Sequence, residues 1–156
     1  MMRKLLSAIA IGLLASFLMV AATAVGKGPK SPKQVAGTVS VVATPSTLGP
    51  ADTTTTVAGN VKANSSCRKD RIVRFAYTGL GGTTQLAETA ETRSNGDFTA
   101  VLPRPADAAP ATVMLQASVD QADRKVGSKK KGKKPKKGRK ITCLAATSQT
   151  TLTLVP

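Results

Sequence analysis

The chain has 156 residues, with 23 Lys or Arg against 8 Asp or Glu and a formal net charge of +15. It has no His, which excludes Ser-His and Cys-His catalytic arrangements. With no Trp, three Phe and one Tyr, it must build its core mainly from Val, Leu, Ile and Ala, which bury less area per residue than an average core.

The first 24 residues are predicted to be a secretory signal peptide. Arg3 and Lys4 form a positive segment, residues 5–20 are apolar, and Ala22-Thr23-Ala24 offers the small residues that a signal peptidase requires. The alternative is an uncleaved anchor, since residues 5–25 are almost long enough to span a bilayer. Both interpretations place the remainder outside the cytoplasm, as a secreted or cell-surface protein.

Export determines how the two cysteines are interpreted. Cys67 and Cys143 both lie in the mature part of the chain, and an even count in an oxidising compartment predicts a disulfide. Two cysteines without any His are too few for a metal centre, so neither a metal nor another cofactor is expected.

The mature chain is predicted to begin with a linker and to continue as one domain. Residues 25–34, VGKGPKSPKQ, have no apolar period and are predicted to be flexible, which leaves residues 35–156 for the domain. Alternation of apolar and polar side chains predicts short strands within it. These strands cover residues 35–43, 53–63, 71–78, 83–93, 97–102, 112–119 and 141–155.

Shared faces and turn signals support these strands. Val73, Phe75 and Tyr77 fall on one face, since side chains alternate along a strand. Asn95-Gly96 is the strongest hairpin signal in the chain. Asn64-Ser65-Ser66 matches the N-glycosylation sequon, and a plain turn is the preferred interpretation. The same alternation groups Phe98, Ala100 and Leu102, then Val113, Leu115, Ala117 and Val119, and finally Leu152 and Leu154.

No segment of the mature chain has a helical period. Seven or eight short strands with turns between them predict an all-β fold, a single antiparallel β-sandwich.

Three of the strands carry a pattern found in a known family. The pattern is V-x-G-x-V, then R-x-V-x-[FLY], then T-x-S-x-G-x-F before a strand that ends at Pro. The matching residues are Val57, Gly59 and Val61, then Arg71, Val73 and Phe75, then Thr92, Ser94, Gly96 and Phe98. From Val57 onwards the chain thus resembles the carboxypeptidase-regulatory-like, or prealbumin-like, β-sandwiches of bacterial secreted proteins. The resemblance implies an Ig-like fold with an adhesive or accessory role and implies no activity, since this fold hosts many functions.

The carboxylates give little support to catalysis or metal binding. Glu88 and Glu91 could act as an acid–base pair, but a spacing of three sends them to opposite faces of a strand. Asn95 and Asp97 offer one amide and one carboxylate, which falls short of a calcium site. Solvated surface charge and turn chemistry are the preferred interpretations, and an enzyme is not predicted.

Residues 124–140, RKVGSKKKGKKPKKGRK, form a polybasic tract that holds most of the charge. Eleven of these seventeen residues are Lys or Arg, and none is acidic or aromatic. The net charge is +13 without residues 1–24, and +2 without the tract as well, so a nearly neutral body carries one positive segment. Lys, Gly and Pro cannot bury apolar surface, which predicts a disordered loop. Since no aromatic residue interleaves the lysines, sequence-specific nucleic-acid recognition is not expected.

Two functions remain open. In the first, an exported, non-enzymatic module uses the polybasic tract to bind anionic surface polymers: wall phosphate polymers, DNA, sulfated glycans or acidic lipids. In the second, the domain is a structural or accessory module and the tract is an incidental solvated loop. No small-molecule substrate is expected, and the oligomeric state is open. The residues predicted to bind polyanions are Lys125, Lys129, Lys130, Lys131, Lys133, Lys134, Lys136, Lys137, Arg139 and Lys140.

Overall fold

Strands dominate the part of the chain that the structure describes. The computed structural model describes residues 32–127 and 138–156. The predicted signal peptide (1–24), the predicted linker up to residue 31 and tract residues 128–137 lie outside the described residues. In chain order the elements are β1 Lys33–Val35, β2 Thr38–Thr44, β3 Thr47–Leu48, β4 Thr54–Lys62, α1 Ser65–Arg68, β5 Ile72–Gly79, β6 Gly82–Glu91, β7 Asp97–Pro103, β8 Ala111–Val119, β9 Ala122–Val126, β10 Arg139–Cys143 and β11 Ala146–Leu154.

The strands form three sheets. A five-stranded sheet has the order β3-β11-β8-β5-β6, a three-stranded sheet has the order β2-β4-β7, and a second three-stranded sheet has the order β1-β10-β9. Most strand pairs are antiparallel, but β1 pairs with β10 and β3 pairs with β11 in parallel. The fold is therefore all-β, as predicted.

The five-stranded sheet and the β2-β4-β7 sheet contribute to one core. Val73, Phe75 and Tyr77 are all buried on β5, which confirms their predicted common face. Phe98 on β7 approaches Phe75 from the other sheet, with ring centroids 6.1 Å apart. Leu and Val dominate the fully buried side chains, as the composition predicted. The other predicted faces supply Leu102, Val113, Leu115, Ala117, Val119, Leu152 and Leu154, all buried.

Two glycines permit close packing near Phe98, where a larger residue would clash. Gly59 lies opposite Phe98 in the β4–β7 register, and a Cβ at this position would overlap the Phe98 ring and the Ser40 carbonyl oxygen. Gly96 has a φ of 94°, which L side chains rarely adopt, and its carbonyl accepts a hydrogen bond from Val61 N at 2.9 Å. These contacts give physical reasons for the glycines at both pattern positions.

The predicted hairpin at Asn95-Gly96 is wrong. The segment does turn, since Gly96 N donates to Arg93 O at 2.9 Å. However, β6 pairs with β5 while β7 pairs with β4, so the connection leads from one sheet to another. A local turn signal reverses the chain but does not determine which strand becomes the partner, because pairing depends on where the apolar face is buried.

Short elements account for the other corrections. Asn64 caps a helical turn rather than forming a plain turn, because its side chain accepts a hydrogen bond from Cys67 N at 3.0 Å. β1 begins at Lys33, inside the predicted linker, and β3 lies between the predicted strands 35–43 and 53–63, where Leu48 is fully buried. The described residues therefore contain eleven strands rather than seven or eight. No helix within residues 32–127 or 138–156 is long and apolar enough to cross a membrane.

Candidate anion-binding site at the base of the polybasic tract

The polybasic tract begins and ends in paired strands. β9 includes tract residues 124–126 and β10 includes 139–140, with Val126 opposite Arg139 and Lys125 opposite Lys140. The prediction of a disordered loop over the whole of 124–140 is therefore wrong at both ends, because ladder hydrogen bonds next to the buried β10 residues extend into the tract. The remaining predicted binding residues lie outside the described residues: Lys129, Lys130, Lys131, Lys133, Lys134, Lys136 and Lys137.

Lys125 and Lys140 place two positive charges on one face of the β9–β10 hairpin. They are directly opposite each other, and both are exposed. Like charges in this position repel, which destabilises the strand pair unless an anion lies between them. Asp123, two residues before Lys125 on this face, accepts a hydrogen bond from Thr142 Oγ1 at 2.7 Å. A shallow cavity is lined by Asp123, Arg124, Lys125 and Lys140.

Arg71 fixes the base of the hairpin to the core. Arg71 is only 4% exposed. Its guanidinium donates hydrogen bonds to three carbonyl oxygens: Cys67 O at 3.0 Å, Leu144 O at 3.4 Å, and Asp120 O. These carbonyls belong to α1, to the β10–β11 connection and to the β8–β9 connection. Burial lowers the pKa of the Arg71 guanidinium, the charge of Arg124 lowers it further, and Asp120 opposes this shift. Because arginine keeps its proton in proteins, the three carbonyls hold a permanent cation.

Two further links hold the hairpin. Arg124 Nη2 donates to Lys69 O at 3.0 Å and to Asp70 O at 2.6 Å, which ties β9 to the segment after α1. Cys67 and Cys143 form the predicted disulfide, with both residues almost fully buried. The bridge joins α1 to β10. The ends of the tract therefore leave the domain from a point that is attached to it by a covalent bond and several hydrogen bonds.

Sequence reasoning missed three basic residues near this hairpin, Arg68, Lys69 and Arg93. Arg68 Nε donates to Ser94 O at 3.0 Å, and Lys69 O accepts from Arg124, so the α1 end lies between the turn before β7 and strand β9. These residues are far from the tract in sequence. A prediction based on charge runs cannot group them with the tract, because only the sheet topology brings the segments together.

A second cavity lies near the opposite end of β5. Six positions separate Arg71 from Tyr77, which at 3.3 Å per residue places the cavity about 20 Å from Arg71. Its lining includes Tyr77, Arg104 and Asp107. Tyr77 Oη donates to Pro103 O at 2.8 Å, and Asp107 Oδ1 accepts from Leu80 N at 3.1 Å. Burial, and secondarily the charge of Glu88, raises the pKa of Tyr77 to about 12. Its polar groups thus serve internal hydrogen bonds, which makes this cavity a weaker candidate than the basic hairpin.

The three carboxylates weighed as catalytic or metal-binding groups, Glu88, Glu91 and Asp97, do not form one site. Glu88 is half-buried and Glu91 is exposed on β6, in line with the expected opposite faces. Asp97 accepts hydrogen bonds from the side-chain amides of Asn60, at 2.6 Å, and of Asn95. Within residues 32–127 and 138–156, no group of three or more acidic or Cys side chains could hold a metal ion.

Comparison of the chain with models of protein families, with curated proteins and with solved structures found no match in any of the three. Function must therefore be inferred from the geometry and charge of the chain itself.

Proposed function

We propose that this protein is an exported, non-enzymatic β-sandwich module whose polybasic tract binds anionic polymers at a cell surface. The observation that carries the proposal is the concentration of charge in residues 124–140, on a mature chain whose other residues sum to +2. Such a tract dominates the long-range electrostatic field of the molecule. Polyanions bind it by releasing their counterions, so affinity falls steeply as salt rises.

The attachment of the tract supports a binding role. Arg71, Arg124 and the Cys67–Cys143 bridge fix the strands from which the tract leaves the domain. A tract that served only solubility would not require anchored ends. The predicted signal peptide and the disulfide both support export, since such bridges persist in oxidising compartments. Two sheets that share one core support the Ig-like sandwich that the family resemblance implies.

The test is salt-dependent binding to duplex DNA, heparin and anionic liposomes. The tract-deleted protein replaces residues 127–138 by Asn-Gly, because Val126 and Arg139 are already paired and a two-residue turn can close the hairpin. The intact protein should lose log affinity linearly with log salt. Removing seven lysines should make the slope on duplex DNA shallower by up to about six units, at roughly 0.9 per contact.

Two variants of full length separate charge from length. Changing all seven lysines of 129–137 to Gln should reproduce the effect of the deletion, while changing them to Arg should preserve binding, since charge rather than sequence determines it. Equal binding by the intact and Gln-substituted proteins would overturn the proposal.

The outer face of the β2-β4-β7 sheet favours a second function, that of an accessory module. Across its middle the face presents uncharged side chains, and Val42 and Val101 are 62% and 59% exposed. The other members are Ser40, Thr44, Thr56, Ala58 and Thr99. Depletion of charge is a feature of protein–protein interface cores. Weak polyanion binding that is equal in the intact and tract-deleted proteins would favour this function.

A further inference from the structure

A group of basic side chains lies beside the tract on the folded domain. Arg68 ends α1, Lys69 follows it, and Arg93 begins the turn that leads into β7. The Arg68 Nε–Ser94 O hydrogen bond joins α1 to that turn, and the Arg124 Nη2–Lys69 O hydrogen bond joins α1 to β9. Arg68, Lys69 and Arg93 thus form a basic strip between the turn and the β9–β10 hairpin.

Carboxylates neutralise only part of this strip. Asp70 Oδ2 is shared between two cations, at 3.3 Å from Lys69 Nζ and 3.9 Å from Arg124 Nη1. In the part of the chain that the structure describes, Arg68 and Arg93 have no carboxylate within ion-pair distance. Arg93 is exposed. The Arg93 guanidinium is therefore available to an external anion, and the half-buried Arg68 can offer its Nη groups, since its Nε is bonded to Ser94 O.

A second concentration of charge, Lys125 and Lys140, lies on the face of the hairpin opposite to the one from which Arg124 contacts Lys69, and Asp123 lies beside it. The two lysines face each other across the hairpin, and both residues are exposed. Neither forms an ion pair within residues 32–127 or 138–156. An oxyanion placed between them would replace a repulsion by two attractions.

We propose that the basic strip is an anion-binding surface of the folded domain, and that tract and strip together select a linear polymer of phosphate or sulfate groups. The polymer class rests on the proposed function of the tract. A compact anion can be satisfied by the tract alone, whereas a chain of oxyanions can contact the tract and the strip at once. Arg68 and Arg93 suit such groups, because a guanidinium binds a tetrahedral oxyanion with two parallel hydrogen bonds.

An acidic bilayer fits this surface less well. Peripheral binding to a membrane usually combines basic residues with aromatic or large apolar side chains that enter the interface. The described residues contain three aromatic side chains, Phe75, Tyr77 and Phe98, and all of them are buried. The large apolar side chains near the hairpin base are partly exposed, Ile72 at 48% and Val126 at 37%, and the strip itself offers charge and hydrogen-bond donors without an aromatic anchor.

The experiment compares two double variants with equal loss of charge. Arg68→Gln with Arg93→Gln removes both guanidinium groups of the strip, one half-buried and one exposed. Arg74→Gln with Arg104→Gln is the control, since Arg74 pairs with Asp120 on the outer face of the five-stranded sheet and Arg104 lies near the opposite end of the domain. Each pair is made in the intact and the tract-deleted protein. The probes are long-chain polyphosphate, tripolyphosphate, heparin and phosphatidylserine vesicles.

For the strip variant, the slope of log affinity against log salt on long-chain polyphosphate or heparin should become shallower by about 1.4 units, taking roughly 0.7 for each of two contacts from single-stranded nucleic acid. The control variant should change this slope by less than half as much. When the tract is present, the strip variant should bind tripolyphosphate as the unsubstituted protein does. Arg68→Lys with Arg93→Lys should restore most of the slope, which separates lost charge from lost folding. A preference for polyphosphate or for heparin identifies the oxyanion.

Three results would overturn the inference in different ways. If the intact protein binds the polymers but the strip variant matches the control, the strip is not a binding surface and the proposed function of the tract survives. If the intact protein binds only vesicles, the linear polymer is the wrong ligand class. If the intact protein binds none of the probes, the proposed function fails together with the inference.

Discussion

Replacing Arg71 by Met should destabilise the domain at the base of the hairpin. Met keeps much of the length of the side chain but removes every donor of the guanidinium. Three carbonyl acceptors then lose their partner: those of Cys67, Asp120 and Leu144. Met also leaves in place the backbone hydrogen bond from residue 71 N to Thr92 Oγ1, which is 2.8 Å long.

The expected magnitude follows from the burial of these acceptors. A buried polar group without a partner costs about 1–3 kcal/mol. Cys67 is buried and Leu144 is half-buried, whereas Asp120 is exposed and its carbonyl can be hydrated. Removing a desolvated cation recovers part of this cost. We therefore expect Arg71→Met to lower the free energy of unfolding by about 2–4 kcal/mol.

Arg74→Met is the matched control, with the same change of residue and charge three positions further along the chain, on β5. Arg74 is exposed and forms a surface ion pair with Asp120 at 3.0 Å, for which a loss of about 0–1 kcal/mol is expected. Urea unfolding measures both variants. Hydrogen exchange of the β9 and β10 amides should show lost protection in Arg71→Met only. A difference below about 1 kcal/mol between the two variants would refute the role assigned to Arg71.

Three further predictions concern the disulfide, the single tyrosine and one glycine. Changing Cys67 and Cys143 together to Ala opens a loop with a sequence separation of 76, so unfolding in urea should require about 4–5 kcal/mol less, and a loss under about 1 kcal/mol would contradict this. Tyr77 has a pKa raised to about 12, so the folded state holds this proton more tightly than the unfolded state. Its contribution is complete below pH 10 and is lost as pH rises towards 12, at about 1.4 kcal/mol per unit. Tyrosinate absorbance follows this directly because the chain has one Tyr and no Trp, and equal midpoints with and without urea would contradict the shift. Gly59→Ala should cost about 1–3 kcal/mol because the new Cβ meets the Phe98 ring, whereas Gly81→Ala, which meets nothing within 4 Å, should be nearly neutral; equal effects in urea unfolding would count against this packing.

Alternation of apolar side chains was sufficient to predict most of the long strands and their buried faces. Val73, Phe75 and Tyr77 illustrate the reason: each residue type and each spacing independently favours a half-buried strand, so the local signal and the tertiary outcome agree. The disulfide was predictable for a different reason, because a sequence with two cysteines offers only one possible pair.

Elements that depend on partners could not be predicted in this way. The Asn95-Gly96 signal specifies a reversal, but the choice between β5 and β4 as neighbours is made by the core. β9 and β10 lie partly within the tract, where composition favours disorder, and they pair because the disulfide, Arg71 and Arg124 hold the hairpin in place. The basic strip was missed for the same reason, since Arg68 and Arg93 become neighbours of the tract only after three separate segments have folded.

The anchored hairpin also changes what the polybasic tract can contribute to binding. A basic tail with one attached end would hold a polyanion at a variable distance from the domain. Here Val126 and Arg139 are paired, so both ends of the tract leave the domain at one place, next to Lys125 and Lys140. A polymer that binds the tract is therefore held close to the folded surface, where its effective concentration for a second contact is high. The contribution of Arg68 and Arg93 should consequently depend on the hairpin as much as on their own charge, which links the stability of the hairpin base to the strength of binding.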